Sequence, residues 1–202
     1  QRHVQQHVRD RAVREVRGTK LCEDGWSCVR PPGGPFDRVG LHRLALCEGA
    51  NGPLVLYLPG MHMNAELPTI DPQRDLRLYL AAAGLRTWGI DYRTHAVPAD
   101  AAAADLDALR AWTPAVFLGD VDWAARFVRG TEPGALYVAG FSQGATLAYR
   151  LAAEKGADLA GLIILDGAEA TGAASGEGAP AIDVGGGRLP FPARQALLAA
   201  VA

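Results

Sequence analysis

Leu136-Tyr137-Val138-Ala139-Gly140-Phe141-Ser142-Gln143-Gly144-Ala145 is an apolar run, a serine held between two glycines, and the start of a helix-forming segment. A serine hydroxyl is a weak nucleophile. An enzyme that uses one must expose it, supply a base and stabilise the oxyanion that follows attack. A tight strand-to-helix turn meets the first need by forcing the serine into strained backbone angles, and a Cβ two residues away on either side would clash there. The same turn leaves the Gln143 N–H at a helix N-terminus, where negative charge is favoured. The stripe Ala145, Leu147, Ala148, Leu151 and Ala152 marks the helix. The plainer alternative is a serine in an ordinary strand-to-helix turn.

Working outward, short apolar strands alternate with helices. Strands are expected at 39–47, 54–58, 85–91, 135–139 and 162–165. A helix is expected over 71–83, with Asp71 as N-cap, Pro72 at its first position and Gly84 after its end. Two more are expected over 120–128, closed by Gly130, and from Gln143 to about Glu154. Strands buried on both sides and joined by helices predict an α/β fold, a mostly parallel sheet with helices on both faces.

Pro31-Pro32-Gly33-Gly34-Pro35 breaks the chain before this pattern begins. From Gly167 to Pro192 the residues turn to Gly, Ala, Ser and Pro, with Gly185-Gly186-Gly187 at the centre, which reads as a mobile loop or linker. Residues 193–202 then begin a helix without a stop signal. Three parts are therefore expected: a polar arm with a disulfide loop at 1–35, a core at 36–170, and a linker with the start of a cap helix at 171–202.

The 202 residues suit one domain with a single large core, and 49% of them are apolar. No uninterrupted apolar run approaches the roughly 20 residues needed to cross a bilayer, so membrane insertion is not expected. The net charge of −2 hides a basic start, Arg2, Arg9, Arg11, Arg14, Arg17 and Lys20 against Asp10 and Glu15. No aromatic residue is interleaved with them, so a solvated surface helix fits better than a nucleic-acid arm. Cys22 and Cys28 bracket a short loop that a disulfide would close, which slightly favours an exported protein; two free buried thiols are the alternative. Cys and His show no ligand spacing and no nucleotide fingerprint is present, so neither a metal nor an organic cofactor is implied.

Leu58-Pro59-Gly60-Met61-His62 follows an earlier strand, and Gly60 permits close approach of a ligand to the backbone. The Met61 N–H is the natural second oxyanion donor beside Gln143. Taken with the Gly140–Gly144 elbow and with Asp91-Tyr92-Arg93-Thr94-His95 after the next strand, the segment resembles the oxyanion loop of α/β-hydrolases of the esterase/lipase type. The resemblance covers roughly residues 40–166, with Pro59 where the family commonly has His and Thr94 where it commonly has Gly. It implies a serine hydrolase that cleaves carboxylic esters through an acyl-enzyme on Ser142.

The family's order is serine, then acid, then histidine, and here no histidine follows Ser142. All five, His3, His7, His42, His62 and His95, precede it. Three explanations stand open. The acid and histidine lie beyond Ala202 or on a second fragment of the same protein; or His62, beside the oxyanion loop, is the base; or the chain is a hydrolase-like binding module without turnover. Asp166, at the end of the strand after the elbow, is the candidate acid. Asp91 is expected to pair with Arg93, His95 to order its loop, and His3, His7 and His42 to lie at the surface. Amidase, lactonase and perhydrolase chemistry use the same elbow, so the small-molecule ester substrate is the leading expectation among several.

Overall fold

A computed structural model describes residues 8–15, 19–60, 63–65, 75–167, 182–184 and 187–189. The chain divides into two compact units, Gln1–Ala168 and Glu169–Ala202. The first is built on one sheet. Its strands are β1 (Val8–Glu15), β2 (Leu21–Val29), β3 (Arg38–Leu46), β4 (Leu54–Leu58), β5 (Arg86–Asp91), β6 (Leu136–Phe141) and β7 (Gly161–Leu165). They lie in the order β1-β2-β3-β5-β4-β6-β7. β1, β2, β3 and β5 pair antiparallel in succession, whereas β5, β4, β6 and β7 run parallel.

β4, β6 and β7 are largely apolar because helices cover them, whereas β5 buries Arg86, Thr87 and Asp91 among its residues. α3 (Pro114–Thr131) and α4 (Gln143–Lys155) place Val121, Ala124, Val128, Leu147, Ala148 and Leu151 in one core with Leu54, Leu56, Leu58, Trp88 and Val138. α1 (Leu76–Ala82) buries Leu78 and Ala81 in a second cluster with Leu21 and Leu44. Side chains alternate along a strand, so the even-numbered Leu44 and the odd-numbered Val39 and Leu41 of β3 point to opposite faces. The two clusters therefore lie on the two faces of the sheet. α2 (Ala103–Leu106) is a single turn between β5 and α3.

Several local expectations change. The helix read over 71–83 is described from Leu76, with Asp75 as N-cap accepting from the Arg77 and Leu78 N–H groups. Asp71 and Pro72 lie outside the described residues. The helix read from Asp120 starts at Pro114, capped by the Thr113 hydroxyl, so Asp120 is an interior position that packs inward. The basic start is a strand where a surface helix was expected: β1 pairs with β2, and its charged residues suit a sheet edge.

Cys22 bonds to Cys47, with the Cα atoms 4.9 Å apart, and Cys28 is free and buried. The Cys22–Cys28 pairing is excluded because both sit on β2, six positions or roughly 20 Å apart along an extended strand. In the second unit, β8 (Ile182–Val184) and β9 (Gly187–Leu189) pair as an antiparallel hairpin across Gly185-Gly186, within the stretch read as a loop.

Candidate active site

β6 ends at Phe141 and α4 begins at Gln143, so Ser142 is the whole turn between them. Its backbone angles are φ 54° and ψ −117°, a region that side-chain-bearing residues rarely occupy and that costs about 1–3 kcal/mol. The Ser142 N–H donates to the Leu165 carbonyl at 3.1 Å, and the Ser142 carbonyl accepts from Ala145 at 3.0 Å. Those bonds hold the strain in place while the residue stays exposed.

Both elbow glycines are required by contact. A Cβ on Gly140 would stand 2.5 Å from the Gly144 carbonyl oxygen and 2.6 Å from the Ala145 Cα. A Cβ on Gly144 would meet the Leu58 carbonyl and come within 2.7 Å of the Pro59 oxygen. The end of β4 is thus pressed against the first turn of α4. That contact brings Gly60 beside the serine, since a Cβ on Gly60 would be 3.3 Å from the Ser142 Cβ. Met61 and His62 lie outside the described residues.

Asp166 follows β7 with φ 46° and is exposed. The next residue, Gly167, packs on the elbow: its Cβ would meet the Ala145 side chain and lie 3.0 Å from the Ser142 carbonyl oxygen. Asp166 is therefore carried to the rim of the same turn.

His42 is not at the surface and Asp91 does not pair with Arg93. His42 Nε2 lies 2.6 Å from Asp91 Oδ2, and Nδ1 lies 3.3 Å from Glu23 Oε1. With a carboxylate at each ring nitrogen, both nitrogens carry protons. Burial works against the charge, but the hydrogen bonds and charges of Asp91 and Glu23 outweigh it and push the His42 pKa up to about 9. Asp91 also resists burial: the His42 hydrogen bond and charge, with the Ala65 N–H, hold its pKa below the usual carboxylate value. Room for the pair comes from glycines, since Gly25 stands opposite His42 and Gly40 opposite Asp91. A Cβ on Gly40 would be 2.7 Å from Asp91 Oδ2.

Arg93 instead turns to other carboxylates. It holds Asp120 through Nε at 2.5 Å and Nη2 at 2.9 Å, and Asp37 through Nη1 at 2.6 Å. Trp112 Nε1 adds a bond to Asp37 at 2.7 Å. This network ties the β2–β3 loop to α3 below the site.

His42 is also remote from the nucleophile. Across the sheet it aligns with Gly89, Tyr57 and Ala139, three strand spacings or about 14 Å from β6. His95, in the short helical turn after β5, bonds through Nδ1 to Asn64 Nδ2 at 2.6 Å. His42 is therefore not placed to take the Ser142 proton.

No family model matches the sequence, and a search of curated proteins finds no match. Solved structures do match. A candidate lipase from Sulfolobus solfataricus superimposes with a TM-score of 0.69 at 27% identity, over 78% of this chain and 50% of that one. A cold-adapted esterase from an Arctic intertidal metagenomic library matches with a TM-score of 0.52 at 20% identity, over 74% of this chain and 62% of that one. Brefeldin A esterase, a bacterial homologue of human hormone-sensitive lipase, matches with a TM-score of 0.50 at 22% identity, over 73% and 41%. The chain thus spans about half the length of the structures it matches. With the strand order, the strained serine turn and these neighbours together, the chain has the α/β-hydrolase fold, and the structures it resembles are of the esterase and lipase type.

Proposed function

We propose that the protein is a serine hydrolase that cleaves carboxylic esters through an acyl-enzyme on Ser142. The observation that carries the reading is the strained, exposed Ser142 at the first turn of α4, braced by glycines that admit no side chain. Proteins maintain such strain where surrounding structure over-determines it, chiefly at functional sites.

In this reading the Ser142 Oγ attacks the ester carbonyl as its proton passes to an imidazole. The Gln143 and Met61 N–H groups hold the oxyanion of the tetrahedral intermediate. The alkoxide leaves with the proton, and water repeats the attack to release the acid. Each oxyanion donor contributes about 3 to 4 kcal/mol to the transition state. The relay requires a histidine within reach of Ser142 and a carboxylate to orient it. Asp166 and His62 are the candidates for those roles within these residues, and their alanine variants test them. The Cys22–Cys47 disulfide supports an oxidising, exported setting.

Incubation of the full-length protein with a fluorophosphonate, followed by peptide mass spectrometry, should place the adduct on Ser142. Hydrolysis of short p-nitrophenyl esters should vanish in Ser142→Ala. A folded protein that takes no label would favour the binding-module reading, and full activity in Ser142→Ala would remove Ser142 as nucleophile.

A further inference from the structure

The last residue of β5 and the residues that follow it reach the loop after β4 at three points. The Tyr92 hydroxyl, buried, donates to the Pro59 carbonyl at 3.0 Å. The Asp91 Oδ1 accepts from the Ala65 N–H at 2.6 Å. His95 bonds to Asn64. The loop between these anchors also closes on itself, with the Met63 N–H donating to the Gly60 carbonyl at 3.2 Å.

Each anchor is itself braced. Tyr92 packs edge-on against Phe117 of α3, ring centroids 6.2 Å apart. Asp91 is held by His42, which Glu23 holds in turn. Arg77, almost wholly buried, donates to the Ala65 carbonyl, so both polar groups of the Ala65 backbone are fixed. Antiparallel β2 and β3 thus support a loop that belongs to the parallel half of the sheet.

We infer that the segment Asp91–His95 clamps the loop after β4 at both ends, and that Tyr92 is a positioning residue that, through Pro59, holds Gly60 beside Ser142. The inference rests on the nucleophile reading above. A hydrogen bond to Pro59 acts one residue before Gly60, whose Cβ position lies 3.3 Å from the Ser142 Cβ. Small rotations at Pro59–Gly60 would move the oxyanion donor proposed for this loop, and oxyanion stabilisation depends on donors fixed in advance. Tyr92 touches neither substrate nor nucleophile in this scheme; it acts through the loop.

Three quantities test the clamp in the full-length protein. In Tyr92→Phe, kcat on p-nitrophenyl esters should fall about tenfold with KM unchanged, since complete loss of one donor costs 10²–10³ and the loop here is loosened rather than removed. Affinity for a trifluoromethyl ketone, which forms a tetrahedral oxyanion on serine, should fall by the same factor. Hydrogen exchange of the 59–65 amides should speed up about tenfold while that of β6 stays unchanged. A kcat within twofold of wild type, or a rise in KM alone, would overturn the clamp. Should Tyr92→Phe fail to fold, Asn64→Ala removes the exposed anchor and is read by the same three quantities and limits. A wild-type protein that resists fluorophosphonate while Tyr92→Phe frees the 59–65 amides would overturn the nucleophile reading and leave the loop's anchoring standing.

Discussion

Raising the pH from 6 to 9.5 should destabilise the wild-type protein through His42, and the size of the effect follows from its surroundings. The imidazole sits between Asp91 and Glu23 with 13% of its side chain exposed, so solvent screens the pair little. Its pKa is raised from 6.5 to about 9 in the folded chain. A group whose pKa is higher folded than unfolded contributes stability fully below the unfolded value and loses it as pH climbs through the folded one. The interval is worth about 3 kcal/mol, at about 1.4 kcal/mol per pH unit. His42→Gln keeps a polar side chain but cannot titrate. Urea unfolding at pH 6, 7, 8, 9 and 9.5 should show the advantage of wild type over His42→Gln shrinking by about 3 kcal/mol, mostly between pH 6.5 and 9. Groups that titrate elsewhere cancel in the difference. Parallel stability curves for the two proteins would refute the ion-paired imidazolium.

Two further outcomes check the elbow and the disulfide. Gly144→Ala pushes a methyl into the Leu58 and Pro59 carbonyls and should cost about 1–3 kcal/mol or more in urea unfolding while abolishing fluorophosphonate labelling; a stable, reactive variant would refute the contact. Reduction of Cys22–Cys47, which spans 25 residues, should cost about 3 to 4 kcal/mol by the chain-entropy relation. Alkylation of the unfolded, unreduced protein should then modify Cys28 alone, and modification of all three cysteines would exclude the bond.

How much of this was legible beforehand depends on the range of the forces involved. β4, β5, β6 and β7 fall within a residue or two of their expected positions, and β4, β6 and β7 do so because a strand covered by helices has to be an apolar run. The elbow was legible for a similar reason: Gly140 and Gly144 answer to contacts that any strand-to-helix turn of this kind makes. Thr113-Pro114 is a sound local signal for the start of α3, whereas Asp120, expected at the helix start, meets Arg93 from inside the helix. Exposed side chains were assigned by residue type, and that rule misplaced His42. Burial of a histidine needs partners brought from elsewhere, here Glu23 one strand away and Asp91 forty-nine residues on.

Local pattern set the alternation of strand and helix, the parallel half of what is a mixed sheet, and Ser142 as the residue placed under strain. These follow from periodicity and from the few residues that fit a tight turn, which are properties of neighbours along the chain. Tertiary structure alone decided which cysteines bond, which acid holds His42, which holds Arg93, and that Tyr92 reaches Pro59. Each of those depends on strand register and sheet order, which bring together residues that share no local pattern, and a shift of one position in β3 would have turned every one of its side chains to the other face.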